Sequence, residues 1–181
     1  MIPEPCVATI GFFDGVHMGH RYLIQQVKEI AAAKGLRSAL VTFPVHPRKV
    51  MNAAYHPELL TTPEEKTNLL AGTGVDYCLM LDFTPDISRL TAKEFMTQIL
   101  KERFQVKYLV IGYDHRFGHN RSEGFDDYVR YGQAIGIEVI RAQAYTDDIQ
   151  IDTIQSAPVS SSLIRKLLHQ GDVDAAARCL G

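Results

Sequence analysis

Five short runs, each almost continuously apolar or β-branched, are spaced along the chain with helix-patterned segments between them. The runs are Cys6–Phe13, Arg37–Phe43, Asp76–Asp82, Lys107–Gly112 and Ile137–Arg141. A strand with one face in water alternates apolar and polar residues, whereas a strand covered on both faces does not. These runs do not alternate, so each is expected inside a sheet with cover on both sides. The intervening segments are Arg21–Lys34, Pro63–Leu70, Thr91–Arg103 and Phe125–Ile135. They place apolar residues at helical spacing: Leu23, Ile24, Val27 and Ile30 in the first, Phe95, Ile99 and Leu100 in the third. Gly35 and Gly136 stand where two of these helices should stop. Such alternation predicts successive βαβ units and an α/β fold with a parallel, doubly wound sheet.

The chain has 181 residues, 46% hydrophobic and 22% charged, which suits a single domain, residues 1–181, with a real core. The expected architecture is therefore Rossmann-like, a five-stranded parallel sheet with helices on both faces. Two further helices close the chain: Ser160–His169, broken by Gly171, and Val173–Leu180, capped by Asp172. A formal net charge of −2 announces neither a nucleic-acid surface nor an acidic disordered tail. The start lacks the basic and apolar regions of a signal peptide, and no apolar run approaches the ~20 residues that span a bilayer. Three cysteines, Cys6, Cys78 and Cys179, form no C-x-x-C pair. An odd, scattered set of this kind fits a reducing compartment, so a cytoplasmic protein without nucleic-acid or membrane partners is expected.

In open α/β sheets ligands sit beyond the carboxyl ends of the strands. After the first run comes Gly11-Phe12-Phe13-Asp14-Gly15-Val16-His17-Met18-Gly19-His20, a glycine-bearing turn followed by two histidines three apart at a helix start. Residues three apart on a helix share a face, so both imidazoles can aim at one ligand. The helix N-terminus adds unpaired N–H groups and partial positive charge, which together suit phosphate. Gly19 removes the side chain between the histidines and lets a ligand approach the backbone. Two packing histidines are the plainer reading, but a glycine-rich turn after a buried strand is poorly placed for core. A zinc pair would need further ligands, and the remaining histidines and cysteines form no second pair with it.

A second block, Val159-Ser160-Ser161-Ser162-Leu163-Ile164-Arg165, opens a tail helix with hydroxyls that can cap it or donate to phosphate. Arg165 lies one turn on, on the face of Ser161 and Ser162, and its planar guanidinium suits phosphate better than an ammonium would. Two loops follow strands directly: Thr42-Phe43-Pro44-Val45-His46-Pro47-Arg48, and Gly112-Tyr113-Asp114-His115-Arg116-Phe117-Gly118. The first opens the stretch Pro44–Pro63, too long and polar for an idle connection.

These blocks together resemble the FMN adenylyltransferase module of bacterial FAD synthetases, in the nucleotidylyltransferase superfamily. The first is similar to that superfamily's H-x-G-H signature in the longer form typical of FAD synthetases. The second is similar to I-S-S-T-x-I-R, with Val159 for isoleucine, Ser162 for threonine, and Pro158 where some members carry arginine. The two loops resemble T-F-x-P-H-P-R, with its first proline shifted by one, and G-x-D-F-R-F-G, with His115 for phenylalanine. Shorter matches at Glu64–Lys66, Gly74–Tyr77 and Gly171–Val173 carry the likeness along the whole chain.

The resemblance implies transfer of AMP from ATP to FMN, giving FAD and pyrophosphate, with Mg2+ accompanying ATP. His17, His20 and Arg165 would be catalytic. Gly11, Phe12, Phe13, Asp14, Gly19, Ser161 and Ser162 would bind ATP, and His46, Arg48, Asp114 and Arg116 would bind FMN. Asp14 has three open roles: orienting the turn, orienting a histidine, or lying near the metal. Family members continue into a riboflavin kinase barrel, so a kinase domain is expected C-terminal in the full-length protein. Alternatives are another H-x-G-H transferase with a different phosphate acceptor, and a flavin- or nucleotide-binding module without turnover.

Overall fold

The computed structural model describes residues 4–52, 54, 58–112, 117, 118, 123–145, 149, 150, 156, 157 and 159–181. Five strands, β1 (Cys6–Ile10), β2 (Arg37–Thr42), β3 (Tyr77–Met80), β4 (Val106–Ile111) and β5 (Glu138–Arg141), form one sheet in the order β3-β2-β1-β4-β5. Every pairing is parallel. The doubly wound expectation is met. The runs read from sequence extend past the strands only into the loops at their ends.

The order of strands reverses direction between β1 and β4, the position at which a crevice opens above a doubly wound sheet. β1 lies at the centre and is buried along its whole length. Its side chains alternate faces. Cys6, Ala8 and Ile10 pack with Phe95, Met96, Leu100 and Tyr128 on one side. Val7 packs with Val27 and Ala31 on the other. Helix α1 (Met18–Lys34) therefore covers one face, joined by α3 (Pro63–Ala71), whose Leu70 meets Ile24 and Leu40. The other face is covered by the 85–103 segment and by α6 (Phe125–Ile135). α1 stops at Gly35, which takes the left-handed conformation (φ 65°) and donates its N–H back to Ala32.

The segment expected as one helix over Thr91–Arg103 is wound in two ways. A short α-helical turn, α5 (Ala92–Phe95), runs into a π-helix over Met96–Arg103, closed by Phe104 N–H donating to the Ile99 carbonyl. The wider winding lets Phe104 stay buried with Phe95, Ile99 and Leu100. Short helices absent from the sequence reading, α2 (Pro47–Met51) and α4 (Pro85–Ser88), both begin on proline, whose fixed φ suits a first turn. The small pair β6 (Ile149–Gln150) and β7 (Ser156–Ala157) was also not anticipated.

The chain ends in α7 (Ser161–His169) and α8 (Val173–Leu180), a helical hairpin with its own core of Ile164, Leu167, Ala176 and Cys179. Leu60 and Val159 join that core. The hairpin is thereby carried back to the carboxyl edge of the sheet. All three cysteines are free thiols. No described helix is long and apolar enough to cross a membrane.

Candidate active site

At the strand-order reversal lies a cleft of about 520 Å³, walled by the turn after β1, the start of α1, Gly112 at the end of β4, the segment Ala142–Tyr145, and the start of α7. Gly11, Phe12, Phe13, Asp14, His17, Gly19, His20, His46, Ser161 and Arg165 all line it. Residues separated by more than 140 positions are thus assembled at one place, as the two blocks read from sequence require. Ser160 lines the cleft and Ser162 does not. Arg48 does not line it either, although its backbone N–H donates to His46 Nδ1 at 3.1 Å and fixes that ring. Asp114 and Arg116 lie outside the described residues, as do His115 and Pro158.

The turn after β1 is unusual backbone. Phe13 has φ 57° and Val16 φ 43°, both left-handed, with Gly15 at φ 80° between them. A β-branched residue at positive φ is strained by roughly 1–3 kcal/mol, and such strain persists only where surrounding contacts over-determine it. Those contacts are visible. Asp14, 4% exposed, accepts from the N–H groups of Leu60 (2.9 Å) and Thr61 (3.2 Å) and from the Thr61 hydroxyl. The Thr61 hydroxyl in turn accepts from Gly15 N–H. Arg165 pairs with Asp14 Oδ2 and donates through Nε to the Glu58 carbonyl. Ser161 donates to the Asp14 carbonyl at 2.9 Å. Asp14 is therefore the tie between three distant segments, and its carboxylate oxygens are occupied by N–H and O–H donors. Of the roles left open by sequence, orienting the turn is the one with contacts behind it.

His17 and His20 do not simply sit three apart on a helix face. His17 is the N-cap of α1, in extended conformation, and its Nδ1 accepts from His20 N–H at 3.2 Å. One of the helix's free N–H groups is thereby used by the histidine itself. The acceptor role leaves the proton of the neutral ring on Nε2, so His17 is a hydrogen-bond donor at that atom. The two rings stack, centroids 3.6 Å apart and 14° from parallel. Gly19 makes this stack fit: a Cβ there would lie 3.0 Å from His17 Cε1. Close approach by the ring, as well as by a ligand, favours glycine, since an added Cβ would push the imidazole by a few tenths of an ångström.

Burial sets the charge of the pair. It pushes the His17 imidazole down to about 4, against a smaller opposing pull from its backbone hydrogen bond and Asp14. Burial, then the positive charge of His17 and of Lys66, holds His20 well below the usual range. His20 Nδ1 is buried without a hydrogen-bond partner among the described residues, which itself disfavours protonation of that ring. In the ligand-free chain both rings are neutral donors at neutral pH.

The sign of the resulting pH dependence follows from linkage. The unfolded imidazole of His17 protonates near 6.5 and the folded one near 4, so between these values the unfolded chain binds more protons. Stability is expected to fall as pH is lowered from 7 to 5, by about 2 kcal/mol from His17 alone. Urea midpoints at the two pH values measure this. His17→Ala should lose less on acidification than the unsubstituted chain, and equal losses would show that His17 is not held neutral.

Lys66 was quoted from sequence only as part of a short match, yet it is a cleft-adjacent group. It is 2% exposed, and its ammonium lies under the turn after β1. Its only sequence signal is a lysine one turn into a capped helix: Thr62 and Glu65 form a capping box around Pro63. Nothing local says that this lysine points inward.

A doubly wound sheet with paired histidines at a helix start and a serine- and arginine-bearing helix above the reversal point defines a nucleotidylyltransferase-like α/β domain. The sequence profile described as FAD synthetase matches residues 1–158. The chain belongs to the FAD synthetase family. Curated relatives include proteins named bifunctional riboflavin kinase/FMN adenylyltransferase from Escherichia coli K12, 33% identical over 98% of this chain, and from Listeria monocytogenes, 34% identical over 97%. A relative of the same name from Pseudomonas fluorescens is 35% identical over 97%. The chain spans about half the length of these relatives, 55%, 53% and 54% of each. Among solved structures, one titled as a macrolide-efflux protein from Streptococcus pneumoniae superposes with a TM-score of 0.81 at 28% identity. It covers all of this chain and 66% of its own.

Proposed function

We propose that residues 1–181 form one domain that transfers AMP from ATP to the terminal phosphate of FMN, giving FAD and pyrophosphate. A phosphate oxygen of FMN forms the new bond to the α-phosphorus, and the bond from that phosphorus to the bridging oxygen of pyrophosphate breaks. FMN's phosphomonoester has a second pKa of ~6, so at neutral pH the nucleophile is already a dianion and no side chain need take a proton from it. The work left to the protein is bringing two polyanions together and stabilising charge on the leaving group.

The observation that carries this reading is the stacked histidine pair at the N-terminus of α1, facing the start of α7 across the cleft. His17 Nε2–H and the remaining N–H groups of the α1 N-terminus would donate to phosphate oxygens. Ser160, Ser161 and Arg165 would close the same shell from α7. Arg165 is presently held by Asp14 and the Glu58 carbonyl, so the guanidinium is oriented before any ligand arrives. His46 and Arg48 would serve the flavin side, with Asp114 and Arg116.

Magnesium enters as part of the substrate, magnesium-ATP. Among the described residues no group of three or more His, Cys, Asp or Glu is arranged to hold a metal. The Asp14 carboxylate is taken up by N–H and O–H donors and is not free to hold an ion. The three free thiols fit a reducing, cytoplasmic compartment.

Incubation with magnesium-ATP and either FMN or riboflavin, followed by separation of the flavins, tests the proposal. FAD is expected from FMN by this domain, and none directly from riboflavin, which carries no phosphate to act as the nucleophile. Flavin and nucleotide binding without pyrophosphate release would indicate a binding module, and turnover with another phosphate acceptor in place of FMN would indicate a sister transferase.

A further inference from the structure

Lys66 is a buried cation without a salt bridge among the described residues. Its ammonium donates to the Phe43 carbonyl at 2.8 Å and the Phe12 carbonyl at 3.0 Å. Those carbonyls stand just past β2 and β1, so one side chain from α3 joins the two loops that leave adjacent strands. The Thr42 hydroxyl donates to the same Phe12 carbonyl at 3.2 Å. The ammonium also lies 3.7 Å from the centroid of the Phe12 ring, within cation–π range. The Phe12 ring also meets His46 edge-on, centroids 4.8 Å apart.

A fully buried lysine is rare because an ammonium loses its hydration. Burial pushes Lys66 down to about 8, against the opposing pull of Asp14 and Cys78. A methionine or leucine would fill the same space without that cost. The cation does what neither could: it donates to two carbonyls and holds a ring by its face at once. Its charge also reaches the cleft, where it opposes protonation of both His20 and His46.

We infer that Lys66 is a positioning residue that fixes the Phe12–His46 wall of the cleft, and that through this wall it sets binding of the flavin phosphate rather than of ATP, which moves Phe12 from the ATP side, where the resemblance put it, to the flavin side, on its contact with His46. The inference rests on the adenylyltransferase reading for the identity of the two ligands. Lys66 itself lies behind the wall, its ammonium spent on protein carbonyls, so it acts through Phe12 and not by touching substrate. The α7 side of the cleft, with Ser161 and Arg165, is tied to Asp14 and should be little disturbed by its loss.

The test is Lys66→Met, which keeps length and volume and removes the donors and the charge. KM for FMN is expected to rise tenfold or more while KM for ATP changes less than threefold. In the ligand-free chain, the His46 ring resonances should move and the ring should titrate at higher pH. If the two KM values move together, or only thermal stability falls, Lys66 is structural and the inference is overturned. If Lys66→Met does not fold, Phe12→Leu decides: it keeps the carbonyl and its hydrogen bonds, removes the ring, and should show the same split. An unchanged KM for FMN in Phe12→Leu would refute the route. The unsubstituted chain run alongside separates the two readings, since no FAD from it would sink the proposed reaction. The His46 titration, which needs no turnover, would then still support or refute the link from Lys66.

Discussion

His20→Ala is expected to lower kcat by roughly a hundredfold to a thousandfold while leaving the fold intact, the range seen when one preorganised donor to a developing charge is removed. His20 lies in the first turn of α1 and stacks on His17, so its loss also frees the partner ring. His17→Ala should cost as much in turnover, but it confounds two effects. It deletes the N-cap acceptor for His20 N–H, a loss of about 1 kcal/mol in stability as well. His17→Asn separates them, because the asparagine oxygen can still cap the helix while the Nε2–H donor is gone. Steady-state kinetics with saturating magnesium-ATP and FMN, paired with urea denaturation, provide the comparison. Near-normal kcat in both His20→Ala and His17→Asn would make the pair a packing device and remove the basis of the proposed chemistry.

The second large effect belongs to Asp14. Asp14→Ala is expected to destabilise the chain by about 3–5 kcal/mol, because it strands a charge and several buried donors at once. The carboxylate is almost wholly buried, and Leu60 N–H, Thr61 N–H and the Thr61 hydroxyl would lose their acceptor. Arg165 is partly exposed, so water can replace some of what it loses, and the lower half of the range is the better expectation. The strained turn at Phe13 and Val16 would also lose the contacts that hold it. A shift in the denaturant midpoint without a change of slope is the predicted signature. A stability loss below 1 kcal/mol would show that the strap at 58–62 and α7 hold themselves in place, and that Asp14 is free for a role on the ligand.

The two predictions differ in how far they could be written from sequence. The strand runs were legible because a sheet covered on both faces demands continuous apolar residues; β1 and most of β2 and β4 are buried as that demand requires, while the edge strands β3 and β5 are only half-buried. The helices were legible from their spacing and from Gly35 and Gly136. The importance of Gly11–His20 and Val159–Arg165 was legible because chemistry needs particular residue types at short, fixed intervals. The π-winding after Phe95 was not, since its buried residues Met96, Ile99 and Leu100 keep the three- and four-residue spacing that an α-helix also gives.

By itself the sequence determined an α/β chain with parallel strands, ligand chemistry after the first strand, and a tail helix suited to phosphate. Periodicity and motif spacing are local properties, and those conclusions need nothing more. Only the tertiary structure decided that His17 caps the helix instead of riding on it, that Asp14 spends its oxygens on Leu60, Thr61 and Arg165, and that Lys66 points inward to the carbonyls of Phe12 and Phe43. The first depends on which way one ring turns at the start of α1, and the others on which distant group comes within hydrogen-bond distance of a buried polar side chain. A buried polar group must find a partner. The sequence says that it must, and the packing of the strands and helices says which partner it is.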